Sequence, residues 1–149
     1  MEINVETILG IITQEEKELL SILSCLGQKE SKPSNNKIYN EISKTAKKNI
    51  RYFDKLNHDL SEFHRSIRIH NIEIQDYRTP IPKKKQKQIL TVLLFVVKSI
   101  KNSTKLCKIL NESINTKLVN DVIPSLIDEK EYLRKQVEKI YDDYIMNQS

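Results

Sequence analysis

The chain has 149 residues, enough for one domain with its own core, and 25 basic against 20 acidic residues leave it a net charge of +5. Its two glycines and four prolines are too few for the closely spaced turns of a sheet protein, and 38% apolar residues argue against wholesale disorder. The charge permits contact with nucleic acid without implying it, because acids are interleaved with bases along almost the whole chain.

The opening stretch Met1–Thr7 carries two acids, Glu2 and Glu6, rather than the basic start of a secretory signal. The first apolar stripe then runs over Asn4–Gly27, with Val5, Ile8, Ile12, Leu19, Ile22 and Leu26 stepping by three and four. Asn4 suits an N-cap and Gly27 a C-terminal stop. The polar segment Gln28–Asn36, which contains Pro33, is the expected connection. A second helix begins near Lys37. Tyr39, Ile42, Ala46, Asn49, Phe53, Leu56, Leu60, Phe63 and Ile67 form its seam, in which only Asn49 is polar. Beyond Ile67 the apolar residues alternate as in extended chain, and Pro80 and Pro82 forbid helix, so Arg68–Pro82 is a long connection with a short extended piece. The third helix is expected over Lys83–Ile114. Its run Ile89–Val97 is apolar almost all round, but a membrane span needs about 20 such residues, so the run reads as a buried core segment. The fourth helix covers Asn120–Tyr144, with Pro124 in or near its first turn.

Helices of about 24–32 residues are about 36–48 Å long. The middle connection, some 15 residues, reaches roughly 50 Å when extended. It can therefore cross from one end of a bundle to the other. The expected fold is all-α: a single domain over residues 1–149, built as a four-helix bundle. Two topologies stay open, a ferritin-like one with a long crossover between helices two and three, and a plain up-down-up-down bundle.

Polar interruptions in the stripes mark the candidate sites. They are Glu15 with Glu16 beside it, Asn49, Ser103 with Thr104, and the pair Glu129 and Lys130. At matching heights they would form a buried polar layer of Glu15, Asn49, Ser103, Glu129 and Lys130. The alternative is that Glu15 and Glu129 sit at the edge of their stripes and face water. An inward carboxylate needs a partner, and Lys130 is available as one.

The stretch Ile11–Leu20 resembles the first helix of an uncharacterised bacterial group of ferritin-like proteins, in which an acid-histidine pair stands where this chain has Glu15-Glu16. The run Ile123–Glu129 is similar to that group's last helix, where proline precedes an Asp-His pair; here the pair is Asp128-Glu129. The resemblance implies a ferritin-like bundle. Both histidines are replaced by glutamate, and the Glu-x-x-His motif of di-iron sites is missing from the chain. Glu15, Glu16, Asp128 and Glu129 would leave only a carboxylate site for a hard cation.

Among the histidines, His58, His64 and His70 are spaced by six and share no helical face, and His58 pairs with Glu62 on the solvent side. Arg65 and His70 match the Arg-x4-His signature of the helical ribonucleases of toxin and defence systems, in which Arg positions a phosphate and His serves in acid-base cleavage. The basic clusters Lys44–Arg51 and Lys83–Lys87 have no closely interleaved aromatic residues for base stacking. Cys25 and Cys107 lie in apolar helical stretches without metal spacing, which suits small buried thiols in a cytoplasmic protein. The leading functional expectation is a non-enzymatic bundle that acts through protein contacts or self-association, with no cofactor. A carboxylate metal-binding bundle and an Arg-x4-His ribonuclease are the alternatives.

Overall fold

Asn4 ends a two-residue strand, β1 (Ile3–Asn4), and caps helix α1 (Val5–Lys29) by accepting the Thr7 N–H at 2.8 Å on its side-chain oxygen. The computed structural model describes residues 3–82 and 88–147 and is mostly helical. The other long helices are α2 (Pro33–Asp59), α4 (Ile89–Ser113) and α6 (Ile123–Asn147). Short turns α3 (Glu62–Arg65) and α5 (Lys117–Asn120), the strand β2 (Arg68–Ile69) and a 3-10 turn over Ile74–Tyr77 join them. No helix among the described residues is long and apolar enough to cross a membrane.

Several boundaries differ from the sequence expectation. α1 runs past Gly27, whose φ is not positive, and Glu30 takes the C-cap with extended backbone. α2 begins four residues earlier than its stripe, because Pro33 sits in its first turn, where a missing N–H costs nothing. It ends at Asp59 rather than near Ile67. Leu60 turns extended, and Ser61 starts a new turn by accepting the His64 N–H. Phe63 therefore leaves the seam and is 76% exposed. The same break separates His58 from Glu62, which are not on one helix. The Lys83–Lys87 cluster and the expected start of the third helix lie outside the described residues.

The core falls into two apolar halves. One joins the start of α1, the end of α2, the end of α4 and the start of α6 around Ile8, Phe53, Leu110 and Ile123. The other joins the opposite ends around Leu26, Ile42, Leu93 and Val137. α1 thus runs antiparallel to α2 and α4, and α6 antiparallel to α4 and α2. α1 packs closely on α2 and α4, and α4 on α6, while α2 and α6 are packed much more loosely.

This arrangement frames the path of residues 60–82. They leave α2 at one end of the long helices, and α4 begins at the other. On the way β2 pairs antiparallel with β1, matching Ile69 to Ile3, and Ile72 is buried in the first core half. Asn71 turns the chain with a φ of 61°, a left-handed conformation that Asn tolerates. Arg78 and Thr79 then lie against the middle of α1, and Thr79 meets Asn102 of α4.

Candidate functional site

Between the two apolar halves lies a layer of buried polar side chains. α1 contributes Glu15 and Glu16, α2 Asn49, α4 Ser99, Ser103 and Thr104, α6 Lys130, and the connecting strap Thr79. Adjacent residues on a helix point about 100° apart, so Glu15 and Glu16 can both be buried only because α1 is covered on two sides. Glu15 faces the strap, and Glu16 faces α4 and α6.

Glu16 and Lys130 form a direct ion pair in which the two side chains are 1% and 3% exposed. The Lys130 ammonium also donates to Ser103 Oγ at 3.0 Å, and that hydroxyl passes on to the Ile100 carbonyl. Burial alone would lower the pKa of Lys130, but the Glu16 carboxylate outweighs it and holds the ammonium above its ordinary value. Cys107 lies one turn along α4, and burial, only partly offset by Lys130, pushes its thiol up to about 12. A thiol held that firmly protonated is not a nucleophile at neutral pH.

Glu15 Oε1 accepts the Thr79 backbone N–H at 2.8 Å and lies 3.5 Å from Arg78 Nε. Its second oxygen, Oε2, has no partner. Burial raises its pKa to about 6, against the lowering influence of the Thr79 N–H and the Arg78 charge. Arg78 also pairs with Glu18 at 2.8 Å, so one guanidinium ties the strap to two acids about one turn apart on α1. Near the far end, buried Glu30 accepts the hydroxyls of Tyr39 and Tyr144 and the Lys32 N–H. Burial would raise its pKa, but these hydrogen bonds lower it below the ordinary carboxylate value.

The remaining sequence candidates are placed elsewhere. Glu129 does not join the layer: one position from Lys130 on α6, it turns outward and pairs with exposed Lys48 of α2 at 2.9 Å. Asp128 is exposed. The four carboxylates proposed for a hard cation therefore face three different surroundings. Among the described residues, no three His, Cys, Asp or Glu side chains are grouped to hold a metal ion. Arg65 donates to the Asn57 carbonyl at 2.9 Å and so caps the last turn of α2, while His70 is exposed after β2. Lys44, Lys47 and Arg51 are exposed on α2.

Asn49 is 1% exposed, yet neither its amide nitrogen nor its oxygen has a hydrogen-bond partner. It lines a cleft of about 340 Å³ along the loosely packed α2–α6 face, together with Lys48, Tyr52, Val122, Leu126 and Glu129. A second cleft of about 320 Å³ shares Tyr52 and Val122 and continues past Leu56 to Leu118. Leu118 and Val122 are 46% and 38% exposed.

Sequence reasoning offered Lys130 as a partner for a buried acid but missed that the acid is Glu16. It also missed the strap residues Arg78 and Thr79, and Glu30 with its two tyrosines. The local signs of the strap were the extended-chain alternation of Ile67, Ile69, Ile72 and Ile74 and the helix-excluding Pro80 and Pro82, none of which says where the chain lies. Compared with protein-family models, with curated proteins and with solved structures, the chain finds no match in any of the three.

Proposed function

We propose that the protein is a four-helix bundle of ferritin-like connectivity that works without an enzymatic centre, through contact with another protein. Support for the connectivity comes from the antiparallel neighbours and from the strap, which carries the chain back from the end of α2 to the middle of α1. In this reading Lys130 occupies the mid-core place of a cation, with Glu16 and Ser103 as its ligands.

The observation that carries the functional reading is a contrast between two places. The ionisable groups of the mid-core are engaged beneath the surface: Glu16 by Lys130, and one oxygen of Glu15 by the Thr79 N–H and Arg78 of the strap. The α2–α6 cleft, by contrast, opens to solvent with apolar side chains on its wall, a surface suited to a partner. A photo-reactive residue placed at Leu118 should crosslink to a protein in the native host, whereas the same residue at exposed Ser21 of α1 should not. Equal labelling from both positions would sink the proposal. So would iron or zinc found at one or more atoms per chain in protein purified without added metal, which would restore a metal-binding reading.

A further inference from the structure

Asn49 presents a primary carboxamide, with one acceptor and two donors side by side on a rigid helix. A buried amide that lacks partners is a free-energy liability, and native structures rarely carry one without a reason. The groups it complements are an N–H and a C=O that point the same way. In extended polypeptide, the N–H and C=O of a single residue do so. An adenine edge also does, and Asn is a known reader of adenine.

The surroundings favour the polypeptide. The two clefts adjoin at Tyr52 and Val122, and the Tyr52 hydroxyl donates to the Leu118 carbonyl at 2.7 Å where they meet, so a ligand that uses both must run along the α2–α6 surface rather than fill a compact hole. Its far half is lined by Leu56, Leu118 and Val122, which would take an apolar side chain rather than a sugar. Its rim mixes signs: Lys48 is engaged by Glu129, and Asp121 lies near it. Asp59 stands with Lys55 and Lys117 at the other end. Such a rim offers no concentrated positive field for a phosphate, whereas it suits a neutral main chain with charged flanks.

We propose that the α2–α6 groove binds an extended peptide segment of a partner protein, with Asn49 hydrogen-bonding both main-chain groups of one apolar residue while that residue's side chain lodges against Leu118 and Val122. This rests on the protein-contact reading above and names its recognition chemistry. The Lys48–Glu129 pair bridges the two helices at this cleft with side chains 58% and 38% exposed. An ion pair that exposed contributes little, so it can open to admit the segment.

The minimal probe is N-acetyl-leucine N′-methylamide, titrated into the full isotope-labelled chain and followed by NMR. The expected result is a saturable shift of the Asn49 side-chain amide signals together with the Leu118 and Val122 methyl signals. Methylating the leucine nitrogen of the probe should weaken binding by about tenfold, as loss of one hydrogen bond to a buried group implies. Asn49→Leu, judged folded by its own spectrum, should lose the response. Shifts at Leu118 and Val122 with none at Asn49 would overturn the recognition chemistry and leave the protein-contact reading standing. No saturable shift at any of these groups, up to the solubility of the probe, would overturn the peptide proposal, while crosslinking from Leu118 decides the contact reading separately. Adenosine moving Asn49 where the amide probe does not would replace the peptide with a nucleobase. A probe response that disappears on dilution of the protein, with light scattering showing dimers, would assign the groove to a second copy of the chain and overturn the partner segment.

Discussion

Removing the Lys130 ammonium should be among the most damaging single changes this protein can suffer. Lys130→Met keeps the length of the side chain but leaves the Glu16 carboxylate, 1% exposed, without its counter-charge. An uncompensated buried charge of this kind costs about 3–5 kcal/mol. That is a large share of the roughly 5–15 kcal/mol that holds a typical domain folded. The double change Glu16→Leu with Lys130→Met removes both charges and both desolvation penalties, and Ser103 keeps its bond to the Ile100 carbonyl. Apolar replacements of buried pairs are commonly neutral or stabilising by about 1–4 kcal/mol, so the double variant should recover at least the wild-type stability. Urea denaturation of wild type, both singles and the double completes the cycle, with the slope of each transition checked for constancy. The alkaline limb adds a second readout. A lysine whose pKa is raised by folding contributes stability that is fully present below its unfolded value, about 10.4, and is lost as pH rises through the folded value. The wild-type midpoint should therefore fall more steeply above that pH than the midpoint of the double variant. A loss below about 1 kcal/mol for Lys130→Met would show instead that water reaches Glu16 and that its charge is not buried.

Asn49→Leu removes two unpartnered polar atoms whose burial costs about 1–3 kcal/mol, and the adjoining cleft has room for the added methyls, so thermal and urea unfolding should show a stabilised fold with unchanged helicity. Clear destabilisation would mean that the amide is tied into a network. Glu15 should make stability fall with pH: its pKa rises from 4.5 to about 6 on folding, so the folded state holds the proton more tightly. The loss, about 2 kcal/mol, is confined to the window between those two values and levels off above it. Glu15→Gln should abolish this slope in denaturation curves taken across the range, and an unchanged slope would assign it to another group. Phe53→Ala, at a side chain with 0% exposure, should cost about 3–5 kcal/mol in chemical denaturation, and a loss under about 1 kcal/mol would put its stripe on the wrong face.

The helices themselves were legible in the sequence because their signal is local. Val5, Ile8, Ile12, Leu19, Ile22 and Leu26 recur at the period of the backbone, and all are buried in α1. Tyr39 through Leu56 behave likewise on α2. The heights of Glu15, Asn49, Ser103 and Lys130 along their stripes were also readable, since height depends on residue count and rise alone. Which way each of them turns was not. Glu129 and Lys130 are adjacent on one helix and of opposite charge. The rotation of α6 against α4, set by packing across the whole interface, sends one into the core and the other to solvent. The same holds for Glu15 and Glu16, whose separate partners come from a strap more than 60 residues away in sequence and from a helix more than 110 away. The seam beyond Leu56 kept its periodic spacing through Leu60, Phe63 and Ile67, yet the helix stopped at Asp59. There the pairing of β2 with β1 and the Arg65 cap draw the chain across the end of α1. Periodicity follows from the geometry of a single backbone segment and so is written in its residues. Rotation, partner choice and the path of the strap come from contacts between segments far apart in sequence, so only the folded structure decides them.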